Sequence, residues 1–343
     1  MRTANRGAGR RMPRVFWSSD GSRLLVQESR DGTTVLSSVT PDGLDRRTLV
    51  TNERAEELVP SPDGRWVAFK ELHNVYVAPL PVAGGPVTIE AKNAGVKVVQ
   101  LSRTGGDWLA WRADSKAVTW ALGPMVYEQT VADAFSAAAT ADDGDWMRAN
   151  AAAPARYIPI ELRVPKATPP GTVVLRGARV ITMKGDEVVE RADVVIQGSR
   201  IQRICPVPCP NLPATTRTVP VPGKTIIPGL VDVHAHMGYS TLDILPQQLW
   251  EYRANLAYGV TTTHDPSAST QSVFALAELV EAGRIAGPRV YSTGFILYGA
   301  ENPNKAVTTS LDDARAHVRR LKALGAFSVK SYNQLRRDAR QWI

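Results

Sequence analysis

The sequence predicts a multidomain chain, with an all-β first half built from repeats and a second half in which strands alternate with helices. Three observations predict it. An Asp-centred turn recurs near residues 20, 63 and 114, each time between short alternating strands. The segment "VPKATPPG" closes an Ala- and Asp-rich stretch and marks a boundary near residue 170. Beyond residue 225, apolar runs of strand length are separated by amphipathic stretches of helix length. A chain of 343 residues has room for two or three domains of the usual ~100–200 residues.

The repeats come first. "FWSSDGSRLLVQE" and "VPSPDGRWVAFKE" place Asp20-Gly21 and Asp63-Gly64 43 positions apart, and "AWRADSKAVTWAL" puts Asp114 a further 51 along. Trp17 and Trp111 each stand three residues before their Asp. A second turn follows inside the first two units, Asp42-Gly43 in one and Gly84-Gly85 in the other. Asp-Gly and Gly-Gly tolerate positive φ and suit tight hairpins. Four short strands in ~40–45 residues is the period of a propeller blade, and "SPDGRWVAF" resembles the TolB-like and WD40-like propellers. The expectation is a partial β-propeller of about three blades over residues 1–133, with a generic β-sandwich as the plainer alternative. Residues 134–170 read as a linker.

Next, "GTVVLRGARVITMKGDEVVERADVVIQGSRIQRI" reads as three strands with turns at Gly185-Asp186 and Gly198-Ser199. The run Ile226–Val233 is apolar enough for a strand covered on both faces, and strand one is expected to span Ile226–His236. Helices are expected at about Asp243–Tyr258, Gln271–Arg284 and Leu311–Leu324. Strands are expected at Val260–Asp265, Arg289–Gly294 and Phe327–Tyr332, giving parallel βαβ units. Asp312 and Asp313 suit the N-terminus of the last helix.

Chemistry concentrates at His234-Ala235-His236. Only five histidines occur in the chain, and two of them fall at i, i+2 after an apolar strand. Side chains two apart on a strand point the same way, with Cα atoms ~6–7 Å apart, so both imidazoles can reach one metal ion. His264 and Asp265 end the second strand, either as substrate contacts, as support for the metal ligands, or as plain turn chemistry before Pro266. Tyr298 and Glu301 follow strand three and could line a pocket. His73, on an expected propeller strand, and His317, on a charged helix face, read as structural.

"PGLVDVHAH" resembles the first-strand signature of the metal-dependent amidohydrolase superfamily. "AYGVTTTHDPS" and "GPRVYSTGFILYGA" are similar to the second and third strands of its imidazolonepropionase- and prolidase-like branch, in which a preceding propeller is a known arrangement. The resemblance spans about residues 170–335. It implies a small β-sandwich over 171–225 and the first half of a (β/α)8 TIM-type barrel over 226–343, with the site at the barrel's C-terminal rim. The implied activity is hydrolysis of C–N bonds in amides, cyclic amides or dipeptides. It requires a divalent metal, zinc foremost, with one or two ions in the intact enzyme. His234 and His236 would be ligands. Lys330, in "AFSVKSYNQ", falls where the family can carboxylate a lysine to bridge two metals; the alternatives are a rim lysine bound to a substrate carboxylate, or a solvated end.

The family also draws histidines from strands five and six and an Asp from strand eight. No histidine follows Lys330, and the 118 residues from Ile226 onward fall short of the ~250 of a full barrel. The expectation is therefore a truncated and inactive member unless a second polypeptide completes it. A rival of another class is a non-catalytic propeller that binds or scaffolds a partner, with a vestigial half-barrel.

Composition narrows the partners. At 43% hydrophobic and 22% charged, the chain can build cores and is not disordered throughout. No apolar run reaches the ~18 residues of a membrane span. Net charge is +8, concentrated in Arg2, Arg6, Arg10, Arg11 and Arg14 and in the last thirty residues. Stacking aromatics are not interleaved with these cations as a nucleic-acid groove requires, so the expected partner is a small molecule or short peptide and not nucleic acid. An oligomer is compatible with the sequence. Periplasmic or secreted placement is expected for intact relatives, although no apolar leader segment follows the basic N-terminus. Cys205 and Cys209, in "CPVPCPNLP", read as idle thiols or a structural bridge.

Overall fold

The computed structural model describes residues 13–81, 84–92, 95–139, 156–239, 244–300 and 305–343. Three antiparallel meanders make up the first half. The first is β1 (Arg14–Trp17), β2 (Leu24–Arg30), β3 (Thr33–Val39) and β4 (Arg47–Asn52). The second is β5 (Ala55–Pro60), β6 (Trp66–Glu71) and β7 (Asn74–Pro79). From β7 the chain crosses back, so that β8 (Val87–Thr88) adds to β4 in parallel, and then returns as β9 (Val99–Gln100) beside β7. The third is β10 (Asp107–Trp111), β11 (Ala117–Leu122) and β12 (Met125–Thr130), followed by helix α1 (Val131–Ala139), with β13 (Arg156–Pro159) as its fourth strand. The third sheet thus draws a strand from the stretch expected to be linker. Residues 140–155 of that stretch lie outside the described residues.

The Asp turns do the same work in each sheet. Ser18 donates its hydroxyl to Asp20 at 2.7 Å and Ser61 to Asp63 at 2.6 Å. The residue after each Asp is left-handed: Gly21 at φ +69°, Gly64 at +72° and, in the third copy, Ser115 at +61°. Glycine makes that conformation free of a Cβ clash. Ser115 uses its hydroxyl instead, accepting from the Asp63 amide at 3.0 Å and tying the second sheet to the third. The Trp111 indole donates to the Val59 carbonyl across the same boundary at 2.8 Å.

Alternation along β6 explains the packing. Val67 and Phe69 face the first sheet, in a core with Leu25, Leu36, Val50 and Leu58. Ala68, from the opposite face, joins Val77, Leu109, Val118 and Trp120 against the third sheet. Each fully buried Leu or Phe contributes ~1.5–3 kcal/mol.

The remaining strands form smaller sheets. β14 (Thr172–Ile181), β15 (Val188–Gln197) and β16 (Arg200–Cys205) pair antiparallel. β17 (Arg217–Pro220) and β18 (Thr225–Ile226) then add to β14 in parallel. Cys205 and Cys209 form a disulfide. β19 (Leu230–Asp232), β20 (Val260–Asp265) and β21 (Arg289–Ser292) form a three-stranded parallel sheet, connected through α2 (Trp250–Ala257) and α3 (Thr270–Glu281). β22 (Ile296–Tyr298) and β23 (Lys305–Val307) pair in parallel before α4 (Leu311–Ala323) and the short α5 (Arg337–Trp342).

Two expected strands differ. The run Ile226–His236 is split: Ile226 belongs to β18, β19 covers three residues, and the histidines follow it in a turn. Far from being covered on both faces, β19 is an edge strand with Val231 60% exposed. Residues 327–332 form no regular strand; they meet the β22–β23 pair through Leu297 N–H donating to Lys330 O and through the Tyr332 ring beside Tyr298 and Lys305. The helix expected from Asp243 begins at Trp250, and Asp243 itself lies outside the described residues. His73 sits in the β6–β7 turn with φ +82°, not on a strand.

Helix α4 packs against the meanders through buried charge. The Lys70 ammonium, on β6, pairs with Glu56 at 2.8 Å and with Asp107. Arg320 of α4 is also buried. Burial pulls its guanidinium down to about 10 against the opposing pull of Asp107 and Glu56. His73 and His317 lie edge to face with ring centroids 5.5 Å apart. Burial first, and the Arg320 charge second, hold both imidazoles below their ordinary range, His317 at about 4. His317 Nε2 donates to Val307 O at 2.7 Å, which fixes the neutral tautomer.

Two predictions follow from this interface. Replacing Lys70 by Ala removes the buried ammonium that pairs with Glu56 and Asp107 and is expected to cost about 3–5 kcal/mol, measurable by urea denaturation. A variant as stable as the parent would show the pair to be energetically idle. His317 binds its proton more readily unfolded than folded. Its contribution is therefore complete above pH ~6.5 and lost as pH falls toward 4, up to about 3 kcal/mol. Thermal melts at pH 7 and 4.5 should separate parent from His317→Leu, with the variant losing less; parallel losses would reject the assignment.

Candidate metal-binding site

β20 carries the framework of the site. It pairs with β19 on one side, Leu230 opposite Val260 and Asp232 opposite Thr263, and with β21 on the other, Asp265 opposite Ser292. Gly229 opens the approach, since a Cβ there would stand 2.1 Å from Thr261 Oγ1. Past β19, the ladder continues for one bond, Ala235 N–H to His264 O at 3.1 Å. Ala235 is buried and its two neighbours are exposed, so the backbone keeps a strand-like alternation through the turn. The His234 and His236 rings therefore stand on one side, centroids 4.9 Å apart and nearly perpendicular. The Asp232 carboxylate accepts from the His234 amide at 2.9 Å and holds the turn.

Asp265 is almost fully buried and collects donors. Its Oδ1 lies 2.8 Å from His236 Nδ1 and accepts the Ser267 amide at 2.9 Å; its Oδ2 accepts the Tyr239 hydroxyl at 2.6 Å. A carboxylate is an acceptor only, so His236 carries its proton on Nδ1 and presents the Nε2 lone pair outward. Burial, and then the bond to Asp265, keep the Tyr239 phenol well above its ordinary range, so it remains a donor. Tyr239 packs with Leu249, Tyr252, Val273 and Leu276, which anchors the network in the α2–α3 core.

His264 has both ring nitrogens engaged, Nδ1 at 3.4 Å from Val233 O and Nε2 at 3.2 Å from Ser328 Oγ. It braces the turn against the 327–330 segment through these two contacts. Lys330 and Tyr298 belong to a second group. The Lys330 ammonium lies 5.2 Å from the Tyr332 ring centroid, and Lys305 stands 4.0 Å from Tyr298 and 4.6 Å from Tyr332. Glu301 lies outside the described residues.

The donor set fits a divalent cation in part. Two imidazoles, one of them backed by a buried carboxylate, are the usual chemistry of a zinc ligand pair. Among the described residues, however, no group of three or more His, Cys, Asp or Glu could hold a metal ion. The sequence did not single out Tyr239 or Ser328. Tyr239 carried a signal, a phenol three residues after His236, since a buried hydroxyl needs a partner.

No family model and no curated protein matches the sequence. Solved structures similar to parts of it include a Xaa-Pro dipeptidase with methionine bound in its active site, at 20% identity and a TM-score of 0.38, covering 46% of each chain. Another is a prolidase in complex with N-methylphosphonate-L-proline, at 24% identity and a TM-score of 0.39, again covering 46% of each chain. Phenylurea hydrolase B is 25% identical with a TM-score of 0.31, over 38% of this chain and 32% of that one. The chain spans less than half the length of each of these structures, and likeness at this level establishes no activity for it.

Because Asp265 is buried, its partners matter to stability. Tyr239→Phe removes one donor and is expected to cost about 1–3 kcal/mol, read from urea midpoints; an unchanged midpoint would mean that the phenol contributes nothing to holding the carboxylate.

Proposed function

We propose that the chain carries part of the active site of a metal-dependent hydrolase of the amidohydrolase type, acting on C–N bonds in amides, cyclic amides or dipeptides. The single observation that supports this most is the pair of exposed imidazoles with His236 Nδ1 bonded to buried Asp265. That bond orients the ring and raises the basicity of Nε2. His234 supplies the second donor, its turn fixed by Asp232. A bound divalent cation would lower the pKa of its water toward ~7 and polarise the scissile carbonyl. Catalytic zinc usually takes three protein ligands, so further donors must join the two imidazoles.

Lys330, read alternatively as a carboxylated metal bridge or a substrate contact, fits the second role better beside Tyr298, Tyr332 and Lys305. Two ammonium groups flanking tyrosine rings suit a substrate carboxylate, such as a dipeptide C-terminus.

The test is metal retention. The purified chain is equilibrated with Zn2+, desalted and analysed by mass spectrometry. Parent protein should hold zinc, His234→Ala and His236→Ala should lose it, and Asp265→Asn should weaken it ~10–100-fold. Equal zinc in the parent and both histidine variants would remove the assignment.

A further inference from the structure

The sheet of β14–β18 contains a cleft that no part of the metal chemistry uses. The parallel partners of β14 come in two pieces, β17 against Val173–Arg176 and β18 against Arg179–Val180. Opposite the gap, β14 bulges at Gly177, whose φ is +82° and where the register against β15 shifts on both sides of Ala178. Bulges bend a strand and re-aim its side chains. The two irregularities together open a cleft of about 520 Å³, within the range of small-molecule sites.

The lining is strongly basic. Arg176, Arg179, Arg191 and Lys224 stand against a single carboxylate, Glu190. Arg179 and Glu190 pair at 3.4 Å with both side chains well exposed, an arrangement water largely screens. Arg191 and Lys224 make no ion pair among the described residues. Arg176 is preorganised: its Nε donates to Oδ2 of Asp193, a fully buried residue, at 3.3 Å. The same carboxylate accepts the Gly177 amide at 3.0 Å and the Cys209 amide at 3.0 Å. One buried group thus fixes the bulge, the arginine and the disulfide-closed loop whose Val207 walls the cleft. Among the described residues, the terminal guanidinium nitrogens of Arg176 make no hydrogen bond.

We propose that this cleft binds a phosphate-bearing small molecule. Guanidinium forks match phosphate oxygens two at a time, and with Arg176 paired to Asp193 and Arg179 to Glu190, Arg191 and Lys224 leave two positive charges, which a phosphate dianion matches and a monocarboxylate does not. The inference is independent of the hydrolase reading.

Isothermal titration of the full chain with inorganic pyrophosphate, at low salt and with a chelator present, tests it. The chelator removes any metal-borne phosphate binding at the histidine pair. Parent protein should bind one equivalent saturably, and Arg191→Ala/Lys224→Ala should bind at least tenfold more weakly with an unchanged melting temperature, since both side chains are exposed. A phosphate monoester, glycerol 3-phosphate, distinguishes free from esterified phosphate, and tighter binding of either supports the site. Absence of saturable binding, equal affinity in the double variant, or succinate bound as tightly as pyrophosphate would overturn it.

Discussion

Burying a carboxylate next to an imidazole costs solvation, and a protein tolerates that cost only where donors replace the lost water. At the end of β20, Asp265 meets this condition with a ring nitrogen, a phenol and a backbone amide. Its backbone is equally engaged, since the Asp265 carbonyl accepts the Ser292 hydroxyl at 2.7 Å and the Thr293 amide at 3.1 Å. The residue therefore joins the turn after β19, the centre of the sheet and the exit of β21. Loss of this one group would release the His236 ring and also loosen three chain segments. The orientation of the candidate ligand pair is a consequence of that constraint more than of β19, which is three residues long and exposed.

What was legible in the sequence was local. Asp-Gly turns set the hairpins of the first two meanders because the left-handed conformation is written in the residue type, and the third copy kept the turn with Ser115 in the glycine's place. β20 spans Val260–Asp265 as expected, and the expected βαβ order holds from β19 to β21, although the fourth strand does not form. What failed was non-local. An apolar run such as Ile226–Val233 reports a preference for burial, but not whether neighbours exist on both sides; here they do not. β13 could not be read because its pairing with β12 spans the Ala-rich segment, and nothing in four exposed residues specifies a partner so far away. The histidines divide in the same way. His234 and His236 stand together because residues two apart in extended chain share a side, which sequence spacing states directly. The contact of His73 with His317 joins residues 244 positions apart, which spacing cannot state.

The seam between the meanders and α4 shows a second use of buried polarity. Lys70, Glu56, Asp107 and Arg320 are charge-balanced, and two neutral imidazoles fill the space around the guanidinium. Such pairs are weak sources of net stability but penalise any arrangement that separates them. Close backbone approach reinforces the fit, since a Cβ on Gly123 would stand 2.4 Å from the Ala323 carbonyl at the end of α4. A helix held by shape and matched charge at once has one register against its sheet, and the segment from β22 to α4 inherits that register.

Enclosure separates holding a cation from using it. Electrostatic stabilisation of a transition state depends on fixed dipoles in a water-excluded site, where each is worth several times its value in solvent. His236 is half-exposed, and Val231 and Val233 beside it face outward, Val233 at 71%. Apolar side chains around a ligand pair are the material of a dry wall, yet here they meet water and leave the imidazoles in a high-dielectric setting. The network around Asp265 thus fixes the orientation of the imidazoles, while a low-dielectric setting for them would require this face to be covered. Orientation of the imidazoles and exclusion of water are separable properties, and the first is built into β19–β21 independently of the second.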